Sequence, residues 1–210
     1  MTEAKADIRR RLLARRRGLP QADVSRASKA LCPRLASLPE VVAAPVLAFY
    51  VAFAGEIDLK EFFLTSKRQG KEILLPRYCV AAGCYEMVTV QDIETDTRPA
   101  HYGIREPLPE LAALPDRERN RPQVVWLVPG VAFAPQGERL GHGGGYYDRL
   151  LSSAQGLKIG ICHDWQILPE LPCTERDVRM DMVISDRRLL PCRRASRPPQ
   201  DSPATAVSVT

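Results

Sequence analysis

The sequence predicts a three-layer α/β fold with a mostly parallel central sheet. Three observations carry that expectation. Short apolar runs at 46–51, 124–128, 158–162 and 182–185 have the length and composition of buried strands. Helix-forming stretches at 3–17, 22–36 and 58–67 lie among them, and strands alternating with helices give a parallel sheet covered on both faces. One apolar run leads through a glycine-rich loop into a helix start, an arrangement suited to holding an anion.

The 210 residues suit one α/β domain over 1–192, followed by a tail at 193–210. That tail, RASRPPQDSPATAVSVT after Arg193, is too poor in clustered apolar residues to build a core and is predicted to be disordered. The hydrophobic content of 45% is enough for a sizeable core elsewhere. No apolar stretch approaches the roughly 20 residues of a membrane span. The charged N-terminus excludes a secretory signal, and Glu3, Asp7 and scarce serine argue against a mitochondrial presequence. Six scattered cysteines without a C-x-x-C pair read as buried thiols in a reducing, cytoplasmic setting. A zinc site from Cys79 and Cys84 would need a second pair. The net charge of +5 suits anionic substrates or nucleic acid and proves neither.

In chain order, 3–17 carries seven basic side chains on good helix formers and stops at Gly18-Leu19-Pro20. Ile8, Leu12 and Leu13 make a narrow apolar stripe. Most of the arginines read as a solvated face, while Lys5 and Arg9, four apart and so on one face, can reach a polyanion. After the second helix and the strand 46–51 comes Glu56, beyond a strand's carboxyl end, where open α/β sheets bind ligands. Glu56 is favoured as a site residue and Asp58 as a helix cap. Strands at 72–75, stopped by Pro76, and at 84–90 follow, with Tyr85 and Met87 spaced for one face. The polar segment 95–122 reads as a long loop, and loops of that length are commonly functional or mobile.

The strand at 124–128 breaks at Pro129-Gly130 and enters a loop holding Gly137, Gly141, Gly143, Gly144 and Gly145. Glycines let the backbone approach a ligand with positive φ and no Cβ in the way, and free N–H groups then face a negative charge. Arg139 and Arg149 add full positive charge, and Asp148 offers a hard oxygen of the kind magnesium prefers. No Gly-Lys-Ser/Thr follows, and Tyr146 stands where a dinucleotide fingerprint needs its last glycine. A mobile surface loop is the plain alternative on glycine content alone. After the strand 158–162, Asp177 is a second candidate oxygen ligand; taken alone it would be an exposed turn acid.

The run RLGHGGGYYDRLL resembles the signature of the 5-formyltetrahydrofolate cyclo-ligase family. Lys5-x-x-x-Arg9, Tyr50 through Glu56-Ile57-Asp58, Leu75-Pro76-Arg77, Gly103-Ile104-x-Glu106-Pro107, Val128 through Phe133, Gln166, Leu171-Pro172 and Asp177-x-x-x-Asp181 agree in order and spacing, so the resemblance covers about 4–190. It implies a Rossmann-like sheet similar to the sugar-phosphate isomerase and CoA-transferase group. It also implies ATP- and Mg2+-dependent closure of 5-formyltetrahydrofolate to 5,10-methenyltetrahydrofolate, with ADP and phosphate as the other products. By position, Lys5 and Arg9 would hold ATP phosphates. Arg139, Leu140, Gly141, His142, Gly143, Gly144, Gly145, Tyr146 and Tyr147 would cradle ATP, and His142 through Tyr146 would also border the folate. Val51 and Glu56 would contact the folate, and Asp148 and Asp177 would bind magnesium. His142 stands where many members carry arginine, and Leu59 where threonine is frequent. The implied enzyme is a monomer needing no protein nucleophile.

Two other classes fit parts of the pattern. An RNA-binding protein of this fold would use the basic helix 3–17, although aromatic residues are not interleaved there for base stacking. A folate- or nucleotide-binding protein without turnover would keep the cradle but has no reason to keep Glu56, Asp148 and the Lys5–Arg9 pair together.

Overall fold

The computed structural model describes residues 4–100 and 103–192. The predicted tail at 193–210 lies outside them. The chain opens with three helices: α1 (Lys5–Arg17), α2 (Gln21–Ala36) and a short α3 (Pro39–Ala43), followed by β1 (Val46–Ala48) and α4 (Lys60–Arg68). The hairpin β2 (Glu72–Cys79) and β3 (Cys84–Thr89) comes next. A small antiparallel ribbon, β4 (Thr97–Pro99) and β5 (Arg105–Pro107), leads to the one-turn α5 (Asp116–Arg119). The second half holds β6 (Val124–Pro129), a ribbon of β7 (Ala132–Phe133) and β8 (Arg139–Leu140), α6 (Tyr146–Leu151), β9 (Lys158–Cys162), β10 (Met182–Ser185) and β11 (Leu189–Pro191).

Seven of these strands form one sheet in the order β11-β10-β9-β6-β1-β2-β3. The pairs β1–β2, β1–β6, β6–β9 and β9–β10 are parallel, and the two edges are closed by antiparallel β3 and β11. The expected mostly parallel sheet is therefore present. Strand alternation sends Leu47, Ile73, Val125, Leu127, Ile159 and Ile161 to one face, where Leu31 and Leu35 of α2, Val41 of α3 and Phe62 and Phe63 of α4 cover them. Val46, Ala48, Val124, Trp126 and Val128 point to the other face and meet Phe133, Leu150 and Leu151. Each fully buried aliphatic side chain contributes about 1.5–3 kcal/mol relative to exposure, so these two layers hold the sheet. Ile8 and Leu12 of α1 close a third cluster on Val131, Ala132, Ala134 and Leu140, which sets α1 against the ribbon that follows β6.

Four local expectations change. The strand expected at 46–51 ends at Ala48; one more ladder bond, from Phe49 N–H to Leu74 O at 2.8 Å, is followed by a loop. The strand expected to stop before Pro76 instead continues to Cys79. Leu74 O faces β1 and Ile73 O faces β3, so Pro76, two residues after Leu74, points its missing N–H to the side where β1 has already ended. The helix expected from residue 58 begins at Lys60, and Asp58 still accepts the Lys60 N–H at 2.9 Å. The long loop at 95–122 contains the β4–β5 ribbon and α5. Among the thiols, Cys162 and Cys192 are buried as expected, whereas Cys173 is exposed.

The topology places the ligand-binding end. From β1 the chain crosses to β2 on one side, and from β6 it crosses to β9 and β10 on the other. The order therefore reverses between β1 and β6, and the crevice beyond their carboxyl ends is where such sheets bind ligands.

Candidate active site

The loop after β1 and the loops after β6 meet at that crevice. The first is held in an unusual backbone shape: Ala54 has φ +46° and Gly55 φ +80°. A non-glycine residue at positive φ is uncommon and persists only where its surroundings enforce it. Gly55 cannot be replaced cheaply, because an added Cβ would sit 2.5 Å from the Arg16 carbonyl oxygen. This loop presents Glu56, whose Oε2 accepts the Phe53 N–H at 3.2 Å. Glu56 Oε1 lies 3.0 Å from Arg16 Nη1 and 3.9 Å from His142 Nε2.

His163, at the carboxyl end of β9, ties the same loop from the other side, with Nε2 2.8 Å from Gly55 O. A carbonyl oxygen can only accept, so Nε2 is the protonated nitrogen, and the Gln166 N–H donates to the His163 carbonyl at 2.9 Å. Burial, outweighing the Gly55 contact, holds the His163 pKa below the ordinary histidine value. Gln166 is buried too, and its amide donates to Gly130 O at 3.0 Å and Val131 O at 2.9 Å, pinning the turn after β6.

The ribbon β7–β8 carries the chain out from β6 and back. It delivers Arg139, buried, with Nη2 3.0 Å from Asp148 Oδ1, and its Nε has no partner among the described residues. The glycine loop follows, with Gly143 at φ +109° and Gly145 at φ +65°. Gly145 in the left-handed conformation caps α6, so the loop turns directly into the helix that carries Tyr146, Tyr147 and Asp148. Arg9 Nε donates to Gly141 O at 2.8 Å, which places α1 against the loop. Tyr146 is 39% exposed and meets Tyr78 and Tyr85 edge-on, with ring centroids 5.5 Å apart in each pair. Tyr147 is half-buried; desolvation of its hydroxyl first, then the Glu56 charge, push its phenol well above the ordinary range, so it remains protonated.

Lys5 Nζ lies 2.5 Å from Asp177 Oδ2. Burial raises the Asp177 pKa, but hydrogen bonds from Lys5 and Thr174 outweigh it, and the net pKa lies below the ordinary aspartate value. Asp148 Oδ1 also accepts the Val178 N–H at 3.3 Å. Both carboxylates are thus tethered to the short segment 174–178. Among the described residues there is no cluster of three or more His, Cys, Asp or Glu side chains arranged for a metal.

The structure therefore brings together Lys5, Arg9, Glu56, Arg139, Gly141, His142, Asp148 and Asp177 through direct contacts. Gly143–Gly145 lie within the same loop, and a Cβ on Gly143 would meet the Arg9 guanidinium at 3.6 Å. Leu140 is buried as a support of the ribbon rather than exposed to a ligand. Val51 faces a different recess of about 120 Å³, lined by Phe49, Tyr50, Leu59 and Phe63. Sequence reasoning missed Arg16, Tyr78 and His163. Arg16 had a signal: it continues the Ile8–Leu12 spacing of four, so it lies on the buried face of α1.

The comparisons with known proteins concern the whole chain and its fold. The model of the 5-formyltetrahydrofolate cyclo-ligase family matches residues 1–186. A probable 5-formyltetrahydrofolate cyclo-ligase of Caenorhabditis elegans is 36% identical over 147 residues, covering 66% of this chain and 71% of the relative. The 5-formyltetrahydrofolate cyclo-ligase of Escherichia coli is 29% identical over 179 residues, 83% of this chain and 96% of the relative. The solved structure of Aquifex aeolicus 5,10-methenyltetrahydrofolate synthetase superposes with a TM-score of 0.77 at 30% identity, covering 95% of this chain and 98% of that one.

Proposed function

Because the chain belongs to the 5-formyltetrahydrofolate cyclo-ligase family, we propose that it uses ATP to convert 5-formyltetrahydrofolate to 5,10-methenyltetrahydrofolate, ADP and phosphate. The observation that carries the proposal is the meeting of Glu56, the glycine loop, the basic face of α1 and the two aspartates at the switch point of one sheet.

The chemistry needs an amide oxygen to become a leaving group. The formyl oxygen attacks the γ-phosphorus of ATP, an O–P bond forms, and ADP leaves. N10 then attacks the activated formyl carbon, loses its proton, and the C–O bond to phosphate breaks. Phosphoryl transfer of this kind asks the protein for positioning and charge neutralisation, not for a nucleophile. Lys5 and Arg9 on α1 supply the positive rim, and Arg139 on β8, buried against Asp148, holds that carboxylate in place beneath it. Glu56 holds the folate at the other side of the crevice, and Tyr146 presents an aromatic edge beside the glycine loop.

The residues fit a magnesium ion. Asp148 and Asp177 give two hard oxygens near a phosphate site, and magnesium takes one or two carboxylates and completes its shell with water and phosphate oxygens. A bound magnesium ion would neutralise phosphate charge. The low pKa of Asp177 keeps that ligand ionised well below neutral pH.

The reading of α1 as an RNA-gripping helix is less supported, since Lys5, Arg9 and Arg16 turn inward to partners within the chain. The six free thiols suit the cytoplasm. No helix among the described residues is long and apolar enough to cross a membrane. The test is direct: mix protein, magnesium, ATP and 5-formyltetrahydrofolate and follow absorbance of the methenyl product. Growth that requires ATP supports the proposal; no product, with folded protein, overturns it.

A further inference from the structure

Arg16 is the most fully buried charged side chain at the crevice, with 1% of it exposed. Its guanidinium reaches four groups from three separate segments. Nε donates to Ala54 O at 3.1 Å, and Nη1 lies 3.3 Å from Gly130 O and 3.0 Å from Glu56 Oε1. Nη2 lies 3.3 Å from His142 Nε2. Because a guanidinium can only donate, Arg16 Nη2 is the donor of this contact and His142 Nε2 the acceptor.

Glu56 is itself 11% exposed, so its carboxylate has little water to satisfy it. An unpaired carboxylate there would be costly, and the partner that removes this cost comes from α1. The strained loop is built around the same residue: Ala54 turns its carbonyl to Arg16 Nε, and Gly55 packs on the Arg16 backbone. The planar fork thus fixes where Glu56 sits relative to the glycine loop.

We infer that Arg16 is a positioning residue, setting the Glu56 carboxylate where the folate side of the crevice meets the glycine loop. This rests on the reading of Glu56 as a folate contact. Arg16 touches no substrate in this assignment and acts through Glu56. Loss of its effect must therefore appear on the folate side and must vanish when Glu56 is already disabled.

The experiment is a double-mutant cycle of Arg16→Met, Glu56→Gln and the double variant, with Arg16→Lys alongside. The Michaelis constants for 5-formyltetrahydrofolate and for ATP are measured for each. Arg16→Met is expected to raise the folate constant about tenfold or more, while the ATP constant moves less than about threefold. Arg16→Lys keeps a charge for Glu56 and is expected to recover part of the folate affinity. The double variant is expected to match Glu56→Gln. Equal loss for both substrates, no recovery with lysine, or effects that multiply in the double variant would overturn the inference. Should Arg16→Met fail to fold, the double variant, which removes both buried charges, is compared with Glu56→Gln alone; a further rise in the folate constant overturns the inference. Should the wild type bind folate without turnover, the proposed reaction fails, and the same cycle read by calorimetric folate binding still decides the role of Arg16. Absence of any folate binding overturns both.

Discussion

Arg10 and Arg16 lie on the same helix, and each makes an ion pair of about the same length, 2.7 Å to Asp7 and 3.0 Å to Glu56. Their surroundings differ. Arg10 and Asp7 are 80% and 46% exposed and three residues apart, while Arg16 and Glu56 are 1% and 11% exposed and joined only by the fold. The first pair is a local surface contact that water replaces readily. The second pair forms only once α1 has docked, and it is shielded from water. Distance in the chain and burial, not contact length, separate the charges that build the site from those that decorate the surface.

The largest expected effect follows from breaking a site pair whose carboxylate we propose as a magnesium ligand beside the phosphates. Asp148→Asn keeps an acceptor for Arg139 and Val178 N–H but removes the charge. Turnover at limiting magnesium-ATP is expected to fall on the order of 100-fold, the scale on which charge stabilisation at such a centre is lost, with far-ultraviolet dichroism unchanged. An unaltered rate and magnesium dependence would remove Asp148 from the metal set. Glu56→Gln comes next. It is expected to raise the Michaelis constant for the folate about tenfold, the worth of one charge-assisted hydrogen bond. A change in thermal stability alone would make Glu56 a support of the loop and nothing more.

A smaller effect concerns the buried neutral histidine beneath the same loop. The folded-state pKa of His163 lies below 6.5, so between that value and 6.5 the unfolded chain binds more protons than the folded one. Stability is therefore full above pH 6.5 and is lost as pH falls toward the folded pKa. Urea unfolding of the wild type is expected to show stability falling as pH drops through this window, and His163→Asn to flatten the slope. Equal slopes would assign the acid sensitivity to other groups.

The same contrast explains what the sequence made legible. The sheet was readable because fully buried parallel strands appear as nearly continuous apolar runs; 124–128 and, after Lys158, 159–162 both became central strands. The edges and the insertions were not. Pro76 suggested a strand end, yet its missing N–H falls where β1 no longer needs it, a fact of register. The β4–β5 ribbon was hidden in polar residues that pair only across a few positions. At the site, Lys5, Arg9, Glu56, Asp148 and Asp177 were named from helix phase, their places after strands and the family resemblance, and the fold places Lys5 on Asp177, Arg9 on the glycine loop and Glu56 beside His142. Arg16 was grouped with the solvated arginines because its charge outweighed its place on the Ile8–Leu12 line. That line was the available signal: a basic residue in phase with a buried stripe needs a buried acid, and Glu56 answers it.

The outer pairs supply the other end of the scale. Arg26 and Asp23 of α2 repeat the Arg10–Asp7 spacing, with Arg26 76% and Asp23 42% exposed. Each such pair loses about as much in side-chain freedom as it gains in attraction at high dielectric, and i,i+3 helix pairs are worth about 0.3–0.5 kcal/mol. Arg10→Ala and Arg26→Ala, singly or together, are therefore expected to shift the unfolding free energy by less than about 1 kcal/mol in total. Both Michaelis constants should stay at the wild-type values, and added salt should erase what difference remains, because exposed pairs are screened. A folate or ATP defect in Arg10→Ala would mean that the outer face of α1 also serves the site, and the division between the two faces of that helix would have to be redrawn.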